Sequence, residues 1–237
     1  MVLLKNTVKA QLMKNNPGFA TTAPHLKINL VNTGKRFNRE WIFRKLNCVF
    51  ETGSSYAITG NNGSGKSTLL QIISSAILHS EGEVIYTQNE NIVPEEKIHS
   101  HFSLAAPYLE LIEEMTALEL LKFHQSFIPL TLPANEILQT VGLSSSAQKQ
   151  IRYFSSGMKQ RLKLGIAFFS NTAVLLLDEP TSNLDANGIS LYHQLIEKHS
   201  AGRMVIISSN DKAEYEFCNT VLTMENFKEG VVAPSQF

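Results

Sequence analysis

One short glycine-rich segment constrains this chain more than any other feature of its 237 residues. Residues 60–67 read GNNGSGKS and fit the pattern G-x-x-x-x-G-K-[ST]. An apolar strand candidate at residues 55–59 precedes them, and a helix candidate at residues 66–78 follows. A loop in this position can direct several backbone N–H groups, and the positive end of the helix, at a single anion. The segment therefore predicts a polyphosphate site inside an α/β fold.

The residue types in this loop suit that chemistry. Glycines at positions 60, 63 and 65 allow the backbone to approach phosphate oxygens closely. Lys66 would supply a point charge to the β- and γ-phosphates, and the hydroxyl of Ser67 would ligate Mg²⁺. An accidental match is the alternative, but the strand before the loop and the helix after it argue against that. The predicted nucleotide-binding residues here are Gly60, Asn61, Asn62, Gly63, Ser64, Gly65, Lys66, Ser67 and Thr68.

A second apolar segment, residues 174–177, is followed at once by two acids, Asp178 and Glu179. A fully apolar run of this length is typical of a buried parallel strand, and α/β sheets bind ligands at the carboxyl ends of such strands. Asp178 is predicted to hold Mg²⁺ through its hydration shell, and Glu179 to polarise the water that attacks the γ-phosphate. Acids at a strand end can also be a polar turn, but the upstream loop favours the catalytic interpretation.

Composition limits the class of protein further. The chain has 21 Lys and Arg against 21 Asp and Glu, so nothing predicts nucleic acid as the main partner. Hydrophobic residues make up 43% of the chain, which supports a folded core. No apolar stretch approaches the roughly 18 residues of a spanning helix. Two cysteines, Cys48 and Cys218, do not make a disulfide framework. These features predict a soluble, intracellular, globular protein.

The distribution of segments predicts how the chain is organised. Residues 1–24 lack periodicity and contain a turn signal at residues 15–18, so we expect a loosely ordered extension. Every charged residue before position 40 is basic, which indicates a solvated tail or, alternatively, a weak attraction to anionic head groups. Residues 25–237 are predicted to form one domain. Its buried strands alternate with helices, which implies a parallel sheet covered on both faces.

A third motif makes a family resemblance specific. Residues 154–158 read FSSGM and stand where ATP-binding cassette (ABC) ATPases, the nucleotide-binding subunits of ABC transporters, carry their L-S-G-G-Q signature. Ser156 replaces a glycine and Met158 a glutamine. With the two motifs above, the chain resembles this family over residues 26–227. The resemblance implies an α/β P-loop NTPase fold of the ABC ATPase type, with a mixed β core, an N-terminal antiparallel β region and a helical subdomain at about residues 107–155.

The resemblance also implies a dimer. In the family two subunits enclose two ATP molecules, so Ser155, Ser156 and Gly157 would face the γ-phosphate held by a partner subunit. Residues 182–185 resemble the family's D-loop, which runs along the dimer contact. Asp185 can also cap the helix that follows.

Three positions agree less well with the family. Phe37 lies in the region where the family places an aromatic ring that stacks on adenine; Trp41, or a packing role for Phe37, is the alternative. The family's γ-phosphate histidine is replaced by Asn210, which can donate a hydrogen bond but cannot carry a charge. No glutamine follows the strand candidate at residues 102–106, where the family has one. Glu110 is a candidate replacement, and a plain surface acid is the alternative. We therefore expect hydrolysis at a modest rate.

These observations predict an ATP-binding and ATP-hydrolysing subunit of an ABC transporter that uses ATP and Mg²⁺. The resemblance implies a homodimer or pseudo-dimer, peripheral on the inner face of the cell membrane, that docks separate transmembrane permease subunits through grooves around residues 108–116. The alternatives are a regulatory nucleotide-binding subunit with weak or no hydrolysis, a soluble ABC protein acting on ribosomes and, from residues 115–119, a haem-exporter ATPase. A DNA-repair ABC ATPase is disfavoured because the sequence has no long heptad run. The transported molecule and its direction are not predicted, because the pathway lies in the partner.

Overall fold

The computed structural model describes residues 25–228, so the predicted extension at residues 1–24 lies outside the described residues. The strands are β1 (Leu26–Phe37), β2 (Glu40–Glu51), β3 (Ser55–Thr59), β4 (Glu81–Gln88), β5 (Asn91–Ile92), β6 (Phe102–Ala105), β7 (Val174–Asp178), β8 (Met204–Ser208) and β9 (Thr220–Thr223). The helices are α1 (Lys66–Ile73), α2 (Glu95–Ile98), α3 (Ala117–Gln125), α4 (Ala134–Thr140), α5 (Ser156–Phe169), α6 (Ala186–His199) and α7 (Lys212–Tyr215). Short 3-10 turns occupy His99–His101, Ser144–Ser146, Ile151–Tyr153 and Met224–Phe227.

Five parallel strands form the centre of the fold, in the order β6-β7-β8-β3-β9. Every residue of β7 and β8 is buried, which agrees with their largely apolar sequences. Alternate residues of these strands contribute to two different apolar cores. Leu175 and Ile207 belong to one core, and Leu176 and Ile206 belong to the other. The predicted parallel sheet with both faces covered is therefore confirmed.

A second, antiparallel sheet covers one of these faces, with strand order β2-β1-β4-β5. Leu26, Ile28 and Phe50 are fully buried and pack in the same core as Leu69 and Ile72 of α1. This sheet is the antiparallel region predicted near the N-terminus. The pairing of β1 with β4, which lies beyond α1 in the chain, could not be assigned from the strand pattern, because it joins segments far apart in the sequence.

Helices cover the opposite face of the parallel sheet. α3 and α4 lie within the stretch predicted to be helical, and Leu121 and Ile137 share an apolar core with Phe168 of α5. α3 begins at a capping box: Thr116 Oγ1 accepts the Glu119 N–H at 3.2 Å, and the Glu119 carboxylate accepts the Thr116 N–H at 2.8 Å. The helical segment is therefore packed onto the parallel sheet through α5.

One helix boundary differs from the prediction. α1 ends at Ile73, whereas its sequence pattern predicts a helix to residue 78. The hydroxyl of Ser74 and the N–H of Ala76 both donate to the Gln71 carbonyl, at 3.1 and 2.8 Å. Ser75 then takes a left-handed backbone with φ of 61°. Serine hydroxyls compete with helical hydrogen bonds in this way, and the helix stops five residues before its predicted end.

A buried arginine links the start of β8 to α5 and β6. Arg203 immediately precedes β8 and is only 7% exposed. Its guanidinium donates to the Phe168 carbonyl at 3.0 Å, and to the hydroxyls of Ser103 at 2.7 Å and Thr172 at 2.6 Å. Phe168 lies in the last turn of α5, where the negative end of the helix dipole favours a cation. Burial lowers the pKa of Arg203 to about 10. This side chain therefore joins α5, β6 and β8.

Arg203→Ala is expected to lower the free energy of unfolding by about 2–4 kcal/mol, because it leaves a cavity and removes donors from buried acceptors. Arg203→Met is expected to cost less. The apolar side chain refills the space, and Thr172 still donates to Ser103 at 3.1 Å. Urea unfolding followed by circular dichroism measures both variants. Equal losses in the two would mean that the charge, and not the packing, supplies the stabilisation.

Candidate nucleotide-binding site

The glycine-rich loop leaves the carboxyl end of β3 and turns directly into α1. Gly65 has a φ of 100°, and a Cβ atom there would lie 2.4 Å from Cγ2 of Ile42 in β2. Gly60 has a φ of 142°, and its Cβ atom would lie 2.7 Å from Oγ of Ser64. A larger residue at either position would strain the backbone and displace a neighbour. The strand, loop and helix predicted from the motif are thus present, and the geometry requires glycine at both ends of the loop.

The backbone N–H groups of this loop fall into two sets. The N–H of Gly60 donates to Asn210 Oδ1 at 3.2 Å. The N–H of Asn61 donates to Glu225 Oε1 at 2.7 Å. The N–H of Ser64 donates to the Asn61 carbonyl at 2.9 Å. Five other N–H groups have no hydrogen-bond partner within residues 25–228: those of Asn62, Gly63, Gly65, Lys66 and Ser67. Unpaired N–H groups at the start of a helix are the donors that bind phosphate oxygens.

The Lys66 side chain lies over the same loop. It is 6% exposed, and its ammonium group donates to the carbonyls of Gly60 at 2.6 Å and Asn61 at 3.3 Å. The hydroxyl of Ser64 is buried and has no hydrogen-bond partner among the described residues. Ser67 and Thr68 are half-buried in the first turn of α1. The unpaired N–H groups of the loop and the Ser64 hydroxyl lack acceptors, and a polyphosphate with bound Mg²⁺ would supply them, so the residues present fit that ligand.

Two side chains from distant segments hold the start of the loop. Asn210 accepts from Gly60 and also donates through Nδ2 to Asn62 Oδ1 at 3.4 Å. Glu225 lies in the turn that follows β9. The N–H of Asn61 lowers the pKa of Glu225, and the charges of Lys228 and Lys66 lower it further. The sequence motifs predict a role for Asn210 but not for Glu225, whose only signal is an acid just after the last strand.

Glu225→Gln is expected to lower the thermal unfolding midpoint at pH 7 and to have no such effect in acid. A carboxylate with a lowered folded-state pKa stabilises the fold above its unfolded pKa of about 4.3, and loses this contribution as the pH falls through the folded value. The difference between wild type and variant should therefore shrink between pH 5 and more acidic solution. Scanning fluorimetry over that range measures it, and a difference that stays constant would refute the role of the charge.

The two predicted acids stand at the carboxyl end of β7. Asp178 is 2% exposed, and its backbone is in register with Ser208 of β8, which is itself in register with Ile58 of β3. One strand thus separates Asp178 from the start of the phosphate-binding loop, a spacing of about 10 Å. Glu179 is exposed, and its N–H donates to the Ser208 carbonyl at 2.9 Å. Its φ of 41° is left-handed, which is strained for a residue with a side chain.

In the segment after β6, Tyr108 interacts with groups of the candidate site, although the sequence predicts no such role for it. Burial raises the pKa of Tyr108, a hydrogen bond with the Gln71 side chain of α1 lowers it, and the negative charge of Asp178 raises it. The charge of Asp178 therefore acts on the Tyr108 hydroxyl. Glu110 is exposed and lines a groove with Lys159 and Lys163 of α5.

The predicted signature segment lies at the start of α5. Ser155 is exposed and caps the helix, because its Oγ accepts the Met158 N–H at 3.2 Å. Ser156 is exposed and Gly157 is half-buried. No hydrogen bond within residues 25–228 joins the segment 155–157 to the loop at residues 60–68. The structure thus brings the loop, Asn210 and the two acids to one sheet edge, and places the signature segment elsewhere.

Phe37 lies at the end of β1, in the hairpin whose second strand contributes Ile42 to the wall behind Gly65. Its ring is 49% exposed, and Lys35 Nζ lies 4.8 Å from the ring centroid. The ring of Trp41 is more covered, with the guanidinium of Arg44 only 4.1 Å from its centroid. Of the two aromatic candidates, Phe37 offers more ring surface to a ligand.

No helix within residues 25–228 has the length and apolar character that crossing a bilayer requires. Comparison with known proteins gives the family. Residues 43–182 match the family model described as ABC transporter. The chain is 30% identical over 212 residues to the uncharacterized ABC transporter ATP-binding protein YybJ of Bacillus subtilis, covering 84% of this chain and 93% of that protein. It is 28% identical over 200 residues to the lantibiotic transport ATP-binding protein SrtF of Streptococcus pyogenes, covering 80% and 82%.

Solved structures of ATP-binding cassettes share this fold. The dimeric post-hydrolysis structure of the ATP-binding cassette MJ0796, bound to ADP and Pi, superposes with a TM-score of 0.70 at 23% identity, over 88% of this chain and 97% of that one. The resemblance inferred from the three motifs is therefore confirmed. Because more than half of its residues match the family model, the chain belongs to the ABC transporter family, as an ATP-binding subunit of the ATPase type.

Proposed function

We propose that residues 60–68 bind the phosphates of ATP, that Glu179 directs its hydrolysis, and that a dimer of this chain uses the reaction to drive transport through separate membrane subunits. One observation carries this proposal. Five unpaired backbone N–H groups and the Lys66 ammonium belong to one loop, and two acids lie at the same edge of the sheet, at the end of β7.

The binding step uses donors that the loop already presents. Phosphate oxygens accept the unpaired N–H groups, and Lys66 exchanges the carbonyls of Gly60 and Asn61 for the β- and γ-phosphates. Asn210 stays hydrogen-bonded to the loop and offers its amide near the γ-phosphate. Adenine stacks on the exposed ring of Phe37.

Hydrolysis depends on the two acids in different ways. Ser67 and Asp178 would hold Mg²⁺, which when bound neutralises charge on the β- and γ-phosphates. Glu179 accepts the proton of the attacking water, and its exposed carboxylate is free to do so. The left-handed backbone at Glu179 turns the chain sharply after β7, so two consecutive residues project into different surroundings: Asp178 is buried and Glu179 is exposed.

A second ATPase subunit completes each site. Ser155, Ser156 and Gly157 lie at the positive end of α5, so they would bind the γ-phosphate of an ATP held by the partner subunit. The partner is a second copy or a homologous chain. The similarity to the dimeric MJ0796 cassette supports this arrangement.

The membrane partner docks at a groove beside α5. This groove has a volume of about 740 Å³ and is lined by charged residues, among them Glu110, Glu113, Glu114, Lys159 and Lys163. Lys159 and Glu113 form an ion pair across it at 2.5 Å. A permease segment with both polar and basic side chains would fit these walls. The chain would then be peripheral on the inner face of the cell membrane, with no nucleic acid partner.

Mixing two inactive variants tests the composite site. Lys66→Ala disables the loop, and Ser155→Arg blocks the signature segment. In a mixed dimer, one site has the intact loop of one variant and the intact signature segment of the other. We expect release of phosphate from ATP in the mixture and almost none from either variant alone. A mixture as inactive as its components would refute the shared site.

A second candidate function is a regulatory subunit that binds ATP without turnover. It is favoured by Asn210, which stands where the family has histidine and which is already hydrogen-bonded on both sides. ATP binding by the wild-type dimer without any phosphate release, even with its membrane partner, would support it.

A further inference from the structure

Two buried side chains from different helices hold the residues that directly follow Glu179. Gln160 of α5 is 2% exposed, and its Nε2 donates to the Pro180 carbonyl at 2.9 Å. Glu214 of α7 is 4% exposed, and its Oε1 accepts the Thr181 N–H at 2.8 Å and the Thr181 hydroxyl. The peptide between Pro180 and Thr181 is therefore bound on both of its sides.

Each of these helices leads back to a different part of the candidate site. α5 begins at the signature segment. It also approaches the loop that follows β7 at a second point, since a Cβ atom on Gly157 would lie 3.0 Å from the Asn183 carbonyl. α7 begins two residues after Asn210. The hydroxyl of Tyr192 donates to the Glu214 carbonyl at 2.5 Å and fixes α7 against α6.

The backbone at Glu179 has little freedom between these contacts. Its own N–H is bound to Ser208, and the next peptide is bound by Gln160 and Glu214. Buried hydrogen bonds of this kind are costly to break, because the freed groups stay unpaired. A shift of α5 or α7 must therefore move the Pro180–Thr181 peptide, and the strained residue before it moves as well.

We infer that Gln160 and Glu214 are positioning residues for Glu179, and that they couple its backbone to the signature segment and to the Asn210 segment. This inference rests on the proposed function of Glu179. When Ser155 engages a nucleotide on the partner, the movement of α5 reaches Glu179 of the same chain through Gln160. Glu214 transmits the position of the Asn210 segment to the same peptide.

Gln160→Met tests this coupling, because it keeps the length of the side chain and removes the donor. We expect kcat for ATP hydrolysis to fall about 10- to 100-fold, since small misplacements of catalytic groups cost rates of this size. The Kd of the chain for a fluorescent ATP analogue should change less than about twofold, because Gln160 does not contact the loop at residues 60–68. Gln194→Met makes the same exchange at an exposed position of α6 and is the matched control. An unchanged kcat, or equal losses in kcat and affinity, would overturn the inference.

A conservative substitution at Glu214 should preserve the hydrolysis rate that an alanine substitution lowers. Glu214→Ala removes the acceptor for Thr181 and should reduce kcat as Gln160→Met does. Glu214→Gln keeps an acceptor for the Thr181 N–H and should recover most of the rate. The second Glu214 oxygen has no hydrogen-bond partner among the described residues, so an amide nitrogen in its place breaks no existing hydrogen bond. Equal losses in the two Glu214 variants would contradict its role as an acceptor.

Amide hydrogen exchange tests the contacts of Gln160 independently of ATP hydrolysis. In the full-length chain, Gln160→Met should speed amide exchange at residues 179 and 181–185 and leave residues 66–73 as in wild type. This result does not depend on hydrolysis. If the wild type releases no phosphate, the proposed function fails, and faster exchange confined to residues 179–185 still supports the connection. Unchanged exchange at those residues overturns it.

Discussion

Glu179→Gln is expected to slow ATP hydrolysis by roughly 10²- to 10⁴-fold, the range of a lost general base. Glutamine has the size of glutamate but cannot accept a proton from the attacking water. ATP affinity should stay close to that of wild type, because the Glu179 side chain is exposed and makes no hydrogen bond to the phosphate-binding loop within residues 25–228. Phosphate release at saturating ATP measures the effect.

The same variant should accumulate as an ATP-bound dimer, since closure by ATP is no longer reversed by hydrolysis. Size-exclusion chromatography with and without ATP detects this state. Glu197→Gln, on an exposed position of α6, is the control for the chemical change. If Glu179→Gln hydrolyses ATP at the wild-type rate, Glu179 is not the catalytic base, and Asp178 is the remaining acid at the site.

Lys66→Ala is expected to weaken ATP binding about 10- to 100-fold, since a charge-assisted hydrogen bond to phosphate contributes about 1.5–3 kcal/mol. The carbonyls of Gly60 and Asn61 also lose their donor, so the loop itself becomes less ordered. Titration of a fluorescent ATP analogue measures the affinity.

Lys198→Ala removes a cation from an exposed position of α6 and is the matched control. The unfolding midpoint of each variant shows whether the fold is intact. If Lys66→Ala binds ATP as tightly as wild type does, the loop at residues 60–68 is not the phosphate site, and both candidate functions, the transport ATPase and the regulatory subunit, fail with it.

Much of the fold was predictable because its signals are local. β3, the loop and α1 follow one another within 20 residues, and each has its own pattern: an apolar run, fixed glycines and a helix start. The buried strand β7 and its two acids were found in the same way. The end of α1 was not, because the hydrogen bonds of Ser74 and Ala76 to Gln71 override an apolar pattern that continues to residue 78.

The pairings that support the site were not predicted, because the paired residues lie far apart in the chain. Glu225 binds the N–H of a residue 164 positions earlier, and Asn210 reaches back 150 positions to Gly60. No periodicity encodes such a pairing. Tyr108 has the same status, since only folding places it beside Asp178 and Gln71.

The sequence by itself was enough to predict the candidate chemistry of this chain: the loop expected to bind phosphate, the strand that ends in two acids, and the family that the motifs resemble. Those properties depend on residue types and on short spacings along the chain, and both can be read directly from the amino-acid sequence. Only the tertiary structure decided that Glu225 holds the loop, that the charge of Asp178 acts on Tyr108, and that Gln160 and Glu214 bind the peptide after Glu179. These contacts arise from the packing of separate helices and strands against one sheet, and packing is a property of the whole chain.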